Sequence, residues 1–193
     1  MGPLPKFFWF QLESLETKSL SGLVINMRSD GALQFDGILP GEYRLVGFRR
    51  PESIFVQAAT YNGADVLDHP LHFDGTSSGR LQIHLSSKVA QLQGRVTDNK
   101  SKPVPDVSVV LVPDKQRHRT DLYTRSITDE NGKFQAKGIA PGDYRVFAWD
   151  DIEEYAWTDP NVLRRYEEKG KLIHLEESSS PTLNFNVISG AKP

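Results

Sequence analysis

The chain contains no cysteine among its 193 residues. That absence excludes disulfide staples, a thiolate nucleophile and Cys-ligated zinc together. It leaves export open, since β-domains of this size fold without staples. Long apolar runs are also missing. No stretch of about 18 such residues occurs, so nothing reads as a membrane-spanning helix. Charge of one sign is lacking too: 23 Lys and Arg stand against 25 Asp and Glu, a net charge of −2. Such a balance gives no long-range pull towards nucleic acid or an anionic membrane. Met1-Gly2-Pro3-Leu4-Pro5-Lys6 offers neither the apolar core nor the cleavage site of a secretory signal. Gly75-Thr76-Ser77-Ser78-Gly79 spells Gly-x-Ser-x-Gly but reads as a polar loop, and no phosphate-binding glycine loop is written.

What the chain has is punctuation. Fifteen Gly and 12 Pro suit many short strands joined by tight turns. Its most informative stretch is Gly132 to Trp149. Asp129-Glu130-Asn131-Gly132 reads as a turn into a short alternating strand. Ala140-Pro141-Gly142-Asp143 reads as a type II turn that reverses the chain into a longer strand. The two strands are expected to form a hairpin.

The same pattern stands earlier, from Gly31 to Phe48. A constant shift of 101 positions lays Gly31 on Gly132, Pro40 on Pro141, Gly41 on Gly142, Tyr43 on Tyr144 and Arg44 on Arg145. A period near 100 is domain-sized, which implies tandem duplication. Carried back, the shift lays Phe7-Phe8-Trp9-Phe10 on Ser108-Val109-Val110-Leu111. Nothing in the first copy then corresponds to Gln91 to Val96. Either the first module lacks its opening strand, as in an excision from a longer chain, or another segment fills that edge.

The expected architecture is all-β: two tandem antiparallel Greek-key sandwiches, residues 1–87 and 88–193, with one short helix in the second. Ser86-Ser87-Lys88 is a short boundary, which predicts modules that touch. Asp159 and Pro160 provide a helix N-cap and first turn, and Gly170 a stop. In the strand after the turn, Tyr144, Val146 and Ala148 point one way; Arg145, Phe147 and Trp149 point the other. One set faces a core. The other is covered by a loop or helix, contacts the second module, or binds a partner.

The second half resembles the carboxypeptidase regulatory-like domain family. That family is related to Cna B-type repeats and shares a transthyretin-like sandwich. Gly94-Arg95-Val96-Thr97-Asp98, Pro103 to Val109, Thr128 to Phe134 and Ile139 to Tyr144 carry the likeness. The family usually has glycine where Asp106 stands. Repeats of this kind occur in large exported proteins of soil bacteria such as Acidobacteria. The resemblance therefore implies an extracellular or cell-envelope setting and a non-catalytic structural or interaction module. Its partners would be other domains of a parent protein, another protein, or a polysaccharide. Some Cna B-type repeats carry a Lys–Asn isopeptide bond. Alternation puts Asn184 and Asn186 opposite Leu183, Phe185 and Val187, outside the core.

Candidate sites are few. His174-x-x-Glu177 is half of a zinc site, and no later His completes it. His69 and His72 flank Pro70 and read as loop residues. Asp150, Asp151, Glu153 and Glu154 form an acidic cluster near Asp129, without the spacing of a calcium loop. No metal and no cofactor are expected, and no catalytic set converges. The ligand residues to watch are Trp149, Tyr155, Trp157 and Asp151, since flat aromatics beside a carboxylate suit a sugar ring. The competing reading packs the aromatics under the Asp159–Gly170 helix, where each would contribute about 2–3 kcal/mol by burial.

Overall fold

The structure is a computed structural model, and it describes residues 9–18, 20–21, 26–27, 33–34, 38–75 and 79–188. The chain divides into two compact units, Met1–Ser87 and Lys88–Pro193. Both are built from strands, and one short α-helix lies in the second.

In the first unit the strands are β1 (Trp9–Ser14), β2 (Leu20–Ser21), β3 (Asn26–Met27), β4 (Leu33–Gln34), β5 (Gly41–Arg49), β6 (Phe55–Tyr61), β7 (Ala64–Asp65), β8 (Leu71–Phe73) and β9 (Leu81–Ser86). One sheet runs β2-β1-β5-β8, a second β7-β6-β9, and β3 pairs with β4. Phe10, Leu12, Tyr43, Leu45, Val56 and Ala59 form the core, with Leu81, Ile83 and Leu85 packed against it. Asn62 and Gly63, both at positive φ, turn β6 into β7, as an Asn-Gly pair should. Of the strand expected over 22–28, only Asn26–Met27 lies among the described residues.

The second unit holds β10 (Ala90–Thr97), β11 (Ser108–Pro113), β12 (Thr124–Ile127), β13 (Lys133–Ile139), β14 (Gly142–Trp149), α1 (Pro160–Tyr166), β15 (Lys171–Leu175) and β16 (Thr182–Asn186). Its sheets are β13-β10-β16 and β12-β11-β14-β15. Leu92, Val96, Phe134, Ala136 and Phe185 from the first are buried, as are Val109, Leu111, Tyr144, Val146 and Leu175 from the second. The one parallel ladder among the described strands joins β10 to β16.

The expected hairpin does not form. β13 pairs with β10, whereas β14 pairs with β11 and β15. The turn at Ala140-Pro141 therefore carries the chain from one sheet to the other. A two-residue hairpin loop needs positive φ at its central residues, and proline is held near −65°. Nor is the turn type II, because Gly142 sits at φ +149 and its counterpart Gly41 at +154, not near +80°.

Both units fasten this crossing alike. Tyr43 donates its hydroxyl hydrogen to Leu39 O at 2.8 Å, and Tyr144 donates to Ala140 O at 2.8 Å. Across the adjoining strand, Glu42 meets His72 and Asp143 meets His174, each at 2.7 Å. The opening strand departs from the expected offset. Leu12 lies opposite Leu45, and Leu111 opposite Val146. By register Leu12 stands for Leu111, two residues away from the alignment at 101. A slip of two keeps every side chain on its face, so alternation alone does not detect it. The closing strands differ in pairing: β16 lies beside β10, while β9 pairs antiparallel with β6.

Asp106 adopts φ +58, the left-handed conformation that glycine takes most readily. The position keeps its turn with aspartate in place of glycine. Gly94 is constrained differently. A Cβ there would lie 1.8 Å from the Leu183 carbonyl oxygen, so hydrogen alone lets β16 lie against β10. Gly94→Ala should cost the second unit roughly 2–3 kcal/mol, since backbone and not a flexible side chain must yield. Urea unfolding checks this; an unchanged midpoint would mean that the strand moves freely.

Candidate functional site

The residues singled out for a ligand lie where β14 runs into the segment covering its sheet. Asp150 and Asp151 are exposed and leave the strand. Tyr155 takes a left-handed conformation, φ +66, that starts a 3-10 turn over Ala156–Thr158. Asp159 then caps α1 by accepting a hydrogen bond from Asn161 N at 2.8 Å, and Pro160 fills the first turn.

This segment covers the outer face of the four-stranded sheet. Val110, Val112, Phe147 and Trp149 from the strands pack with Trp157, Leu163 and Ile188. Phe147 and Trp149 stack with centroids 4.9 Å apart and planes at 10°, and Tyr166 meets Trp149 edge-on at 5.7 Å. Trp149 is 1% exposed and Trp157 4%, so neither turns a ring face to solvent. Tyr155 is 66% exposed. Its ring lies 5.8 Å from that of Trp157, and the Arg125 guanidinium sits 5.4 Å over Trp157. A glycan reading of this loop therefore rests on Tyr155 and Asp151 alone. Of the three alternatives for the Phe147–Trp149 face, cover by a loop and helix is the one adopted.

A charged anchor holds the far end of the cover. Arg117 grips Glu167 with two hydrogen bonds, 2.9 and 2.6 Å. Arg145 donates to the Glu167 carbonyl oxygen at 2.9 Å and reaches Asp114 at 3.2 Å. The Arg117 hydrogen bond holds the Glu167 carboxyl below the usual carboxylate range. Tyr123 donates to Arg117 O at 3.1 Å, and burial pushes its phenol upward. In sequence, Arg117, His118 and Arg119 read only as part of a basic loop over 113–121, with no partner indicated. The available signal was Arg145, a cation at an otherwise apolar alternation.

The remaining candidates are separated. His174 Nδ1 pairs with Asp143, whereas Glu177 pairs with Lys88 Nζ at 2.6 Å. His69 pairs with Asp65 and His72 with Glu42. Asp129 accepts from Asn131 N and Lys133 N, which commits its carboxylate to the turn. Among the described residues no three His, Asp or Glu side chains gather as a metal-ligand set. Asn184 and Asn186 are exposed, while Phe185 between them is buried. The Asn184 amide oxygen accepts from Arg95 N at 2.9 Å.

Residues 91–155 match the family model of the carboxypeptidase regulatory-like domain. The match ends at Tyr155, so the capped helix and the last two strands lie beyond it. The matched stretch contains the crossing at Ala140-Pro141 and the Phe147–Trp149 stack. No curated protein matches the chain. Among solved structures it is similar to GBS52, the minor pilin of Streptococcus agalactiae, at 13% identity and a TM-score of 0.35, covering 93% of this chain and 82% of that one. BcpA, the major pilin subunit of Bacillus cereus, is 9% identical with a TM-score of 0.33, covering 93% of each. The Bacillus anthracis TIE protein is 11% identical with a TM-score of 0.36; 94% of this chain is covered but 34% of that one.

Proposed function

We propose that the chain is a non-catalytic spacer and interaction module of a larger exported or cell-envelope protein. Its two units are read as tandem sandwiches, and its partners as neighbouring domains of that protein or another protein. The likeness of residues 91–155 to the regulatory-like family supports this setting.

The observation that carries the spacer reading is the parallel ladder of the second unit. The chain enters the unit through β10 and leaves through β16, which runs beside it in the same direction. Entry and exit therefore lie at opposite ends of the sheet. Tension along the chain loads the pairs from Gln93–Thr182 to Thr97–Asn186 in shear, all together. Peeling from one end would break them singly.

Because the chain has no cysteine, one introduced thiol gives a unique attachment point. A C-terminal handle combined with Ser87→Cys stretches the second unit from pole to pole. The same handle with Asn99→Cys pulls both strands at one pole, where Asn99 lies 3.5 Å from Asn186. Single-molecule stretching should unfold the unit at several-fold higher force in the first geometry. Equal forces in the two would sink the spacer reading.

A further inference from the structure

The face of the β13-β10-β16 sheet turned away from the core carries cations, amides and hydroxyls, with no carboxylate on its three strands. Along β13 the outward side chains are Lys133, Gln135 and Lys137; along β10 they are Gln91, Gln93 and Arg95. β16 adds Thr182, Asn184 and Asn186, all exposed. The carboxylates nearest in the chain, Asp98, Asp129 and Glu130, lie in the turns at one end. Asp98 and Asp129 each already accept two backbone N–H groups, and Glu130 is exposed.

Two features make this face more than a solvated surface. Arg95 stands directly opposite Lys133 in the strand register. Like charges so placed repel, and the sheet keeps them at a cost. On the other side of Arg95 the register neighbour is Asn184, an amide and not an acid. No ion pair engages Arg95, Lys133 or Lys137 among the described residues. Around Arg95 and Lys133 the surface is concave, a groove of about 440 Å³ lined also by Gln93, Gly94, Phe134, Thr182 and Asn184. In a chain of net charge −2 the acid-free patch is a local departure.

From this arrangement we infer that the outer face of β13-β10-β16 binds a carboxylate-bearing polysaccharide, a polyuronate. The cations supply the counter-charge. Lys133 and Lys137 are four residues apart, about 13 Å along the strand, which suits a polymer with recurring carboxylates. The amides of Gln91, Gln93 and Gln135 each donate and accept, which matches ring hydroxyls. Asn184, its oxygen held by Arg95 N, keeps its NH₂ group for the ligand. An acidic peptide is the poorer fit. Peptides anchor through apolar side chains or by adding a strand at an edge. Among the described residues the exposed large apolar ones, Leu39, Ile127, Tyr155 and Leu172, all lie on other strands and loops. This inference rests on the reading of the chain as an interaction module. It is independent of the stretching experiment, so either can fail alone.

The test is calorimetric titration of the full chain with polygalacturonate, with its fully methyl-esterified form and with poly-L-glutamate. Binding to polygalacturonate should weaken as salt is raised. It should be lost on esterification and be at least about tenfold weaker with poly-L-glutamate. The double variant Arg95→Gln/Lys133→Gln should bind about tenfold more weakly, with its thermal midpoint unchanged or raised. Arg164→Gln/Arg165→Gln on α1, equally exposed, should bind as the parent does. The inference is overturned if polygalacturonate does not bind, if the esterified polymer or poly-L-glutamate binds equally well, or if the Arg95/Lys133 variant binds unchanged.

Discussion

Trp149→Ala lowers the unfolding free energy of the second unit by about 3–5 kcal/mol. The indole is 1% exposed and sits between the sheet and its cover. It stacks on Phe147 and meets the edge of Tyr166. Truncation removes the burial of a large ring and leaves a cavity that strand and helix together cannot close. The indole Nε1 has no hydrogen-bond partner among the described residues. Trp149→Phe, which keeps an aromatic ring and drops that N–H, should therefore lose less than half as much. Chemical denaturation with matched slopes measures both variants. A loss below about 1 kcal/mol for the alanine variant would mean that the 150–170 segment is not packed on its sheet.

The second large effect is electrostatic. Arg119 and Asp121 form a bidentate pair, 2.7 and 2.8 Å, with both side chains 4% exposed. The short turn Thr120–Leu122 places them two residues apart before β12. Asp121→Asn removes the carboxylate that meets a buried guanidinium on two hydrogen bonds, which should cost about 3–5 kcal/mol. The double change Arg119→Met/Asp121→Leu should recover at least half of that loss. The penalty comes from stranding one charge, not from the net value of the pair. A double-mutant cycle on unfolding free energies separates the two. Additive single losses, with no recovery, would show that the ions act independently.

Both effects depend on residues that the sequence made visible to different degrees. Alternation separated Tyr144, Val146 and Ala148 from Arg145, Phe147 and Trp149 without saying which set faces the core; the first set does. It also flagged Phe147 and Trp149 as an apolar set on the opposite face. It did not say what covers them, because that depends on a helix returning from beyond residue 159. The cap itself was legible: Asp159 and Pro160 have strong positional preferences and occupy the positions expected of them.

The crossing between sheets was not legible. Pro-Gly marks a change of direction, and a hairpin and a sheet-to-sheet crossing share that mark. Only the pairing partners of β13 and β14 distinguish them. The same limit hid the cationic face. Alternation sets Lys133, Gln135 and Lys137 on one face of their strand and Gln93 and Arg95 on one face of theirs, but the adjacency of the two sets comes from a ladder between segments 38 residues apart. Arg119 and Asp121 read as loop charges because long charged side chains are mostly exposed. Their burial follows from tertiary cover that no local pattern announces.

The parallel neighbours β10 and β16 also bear on how this unit tolerates rewiring. Many domains have their two ends side by side and accept circular permutation with a short bridge. Here the bridge must return along the whole of β10, about 26 Å, which needs at least about eight extended residues. A permuted second unit joined by two or three glycines should fail to close, whereas one joined by ten or more should fold.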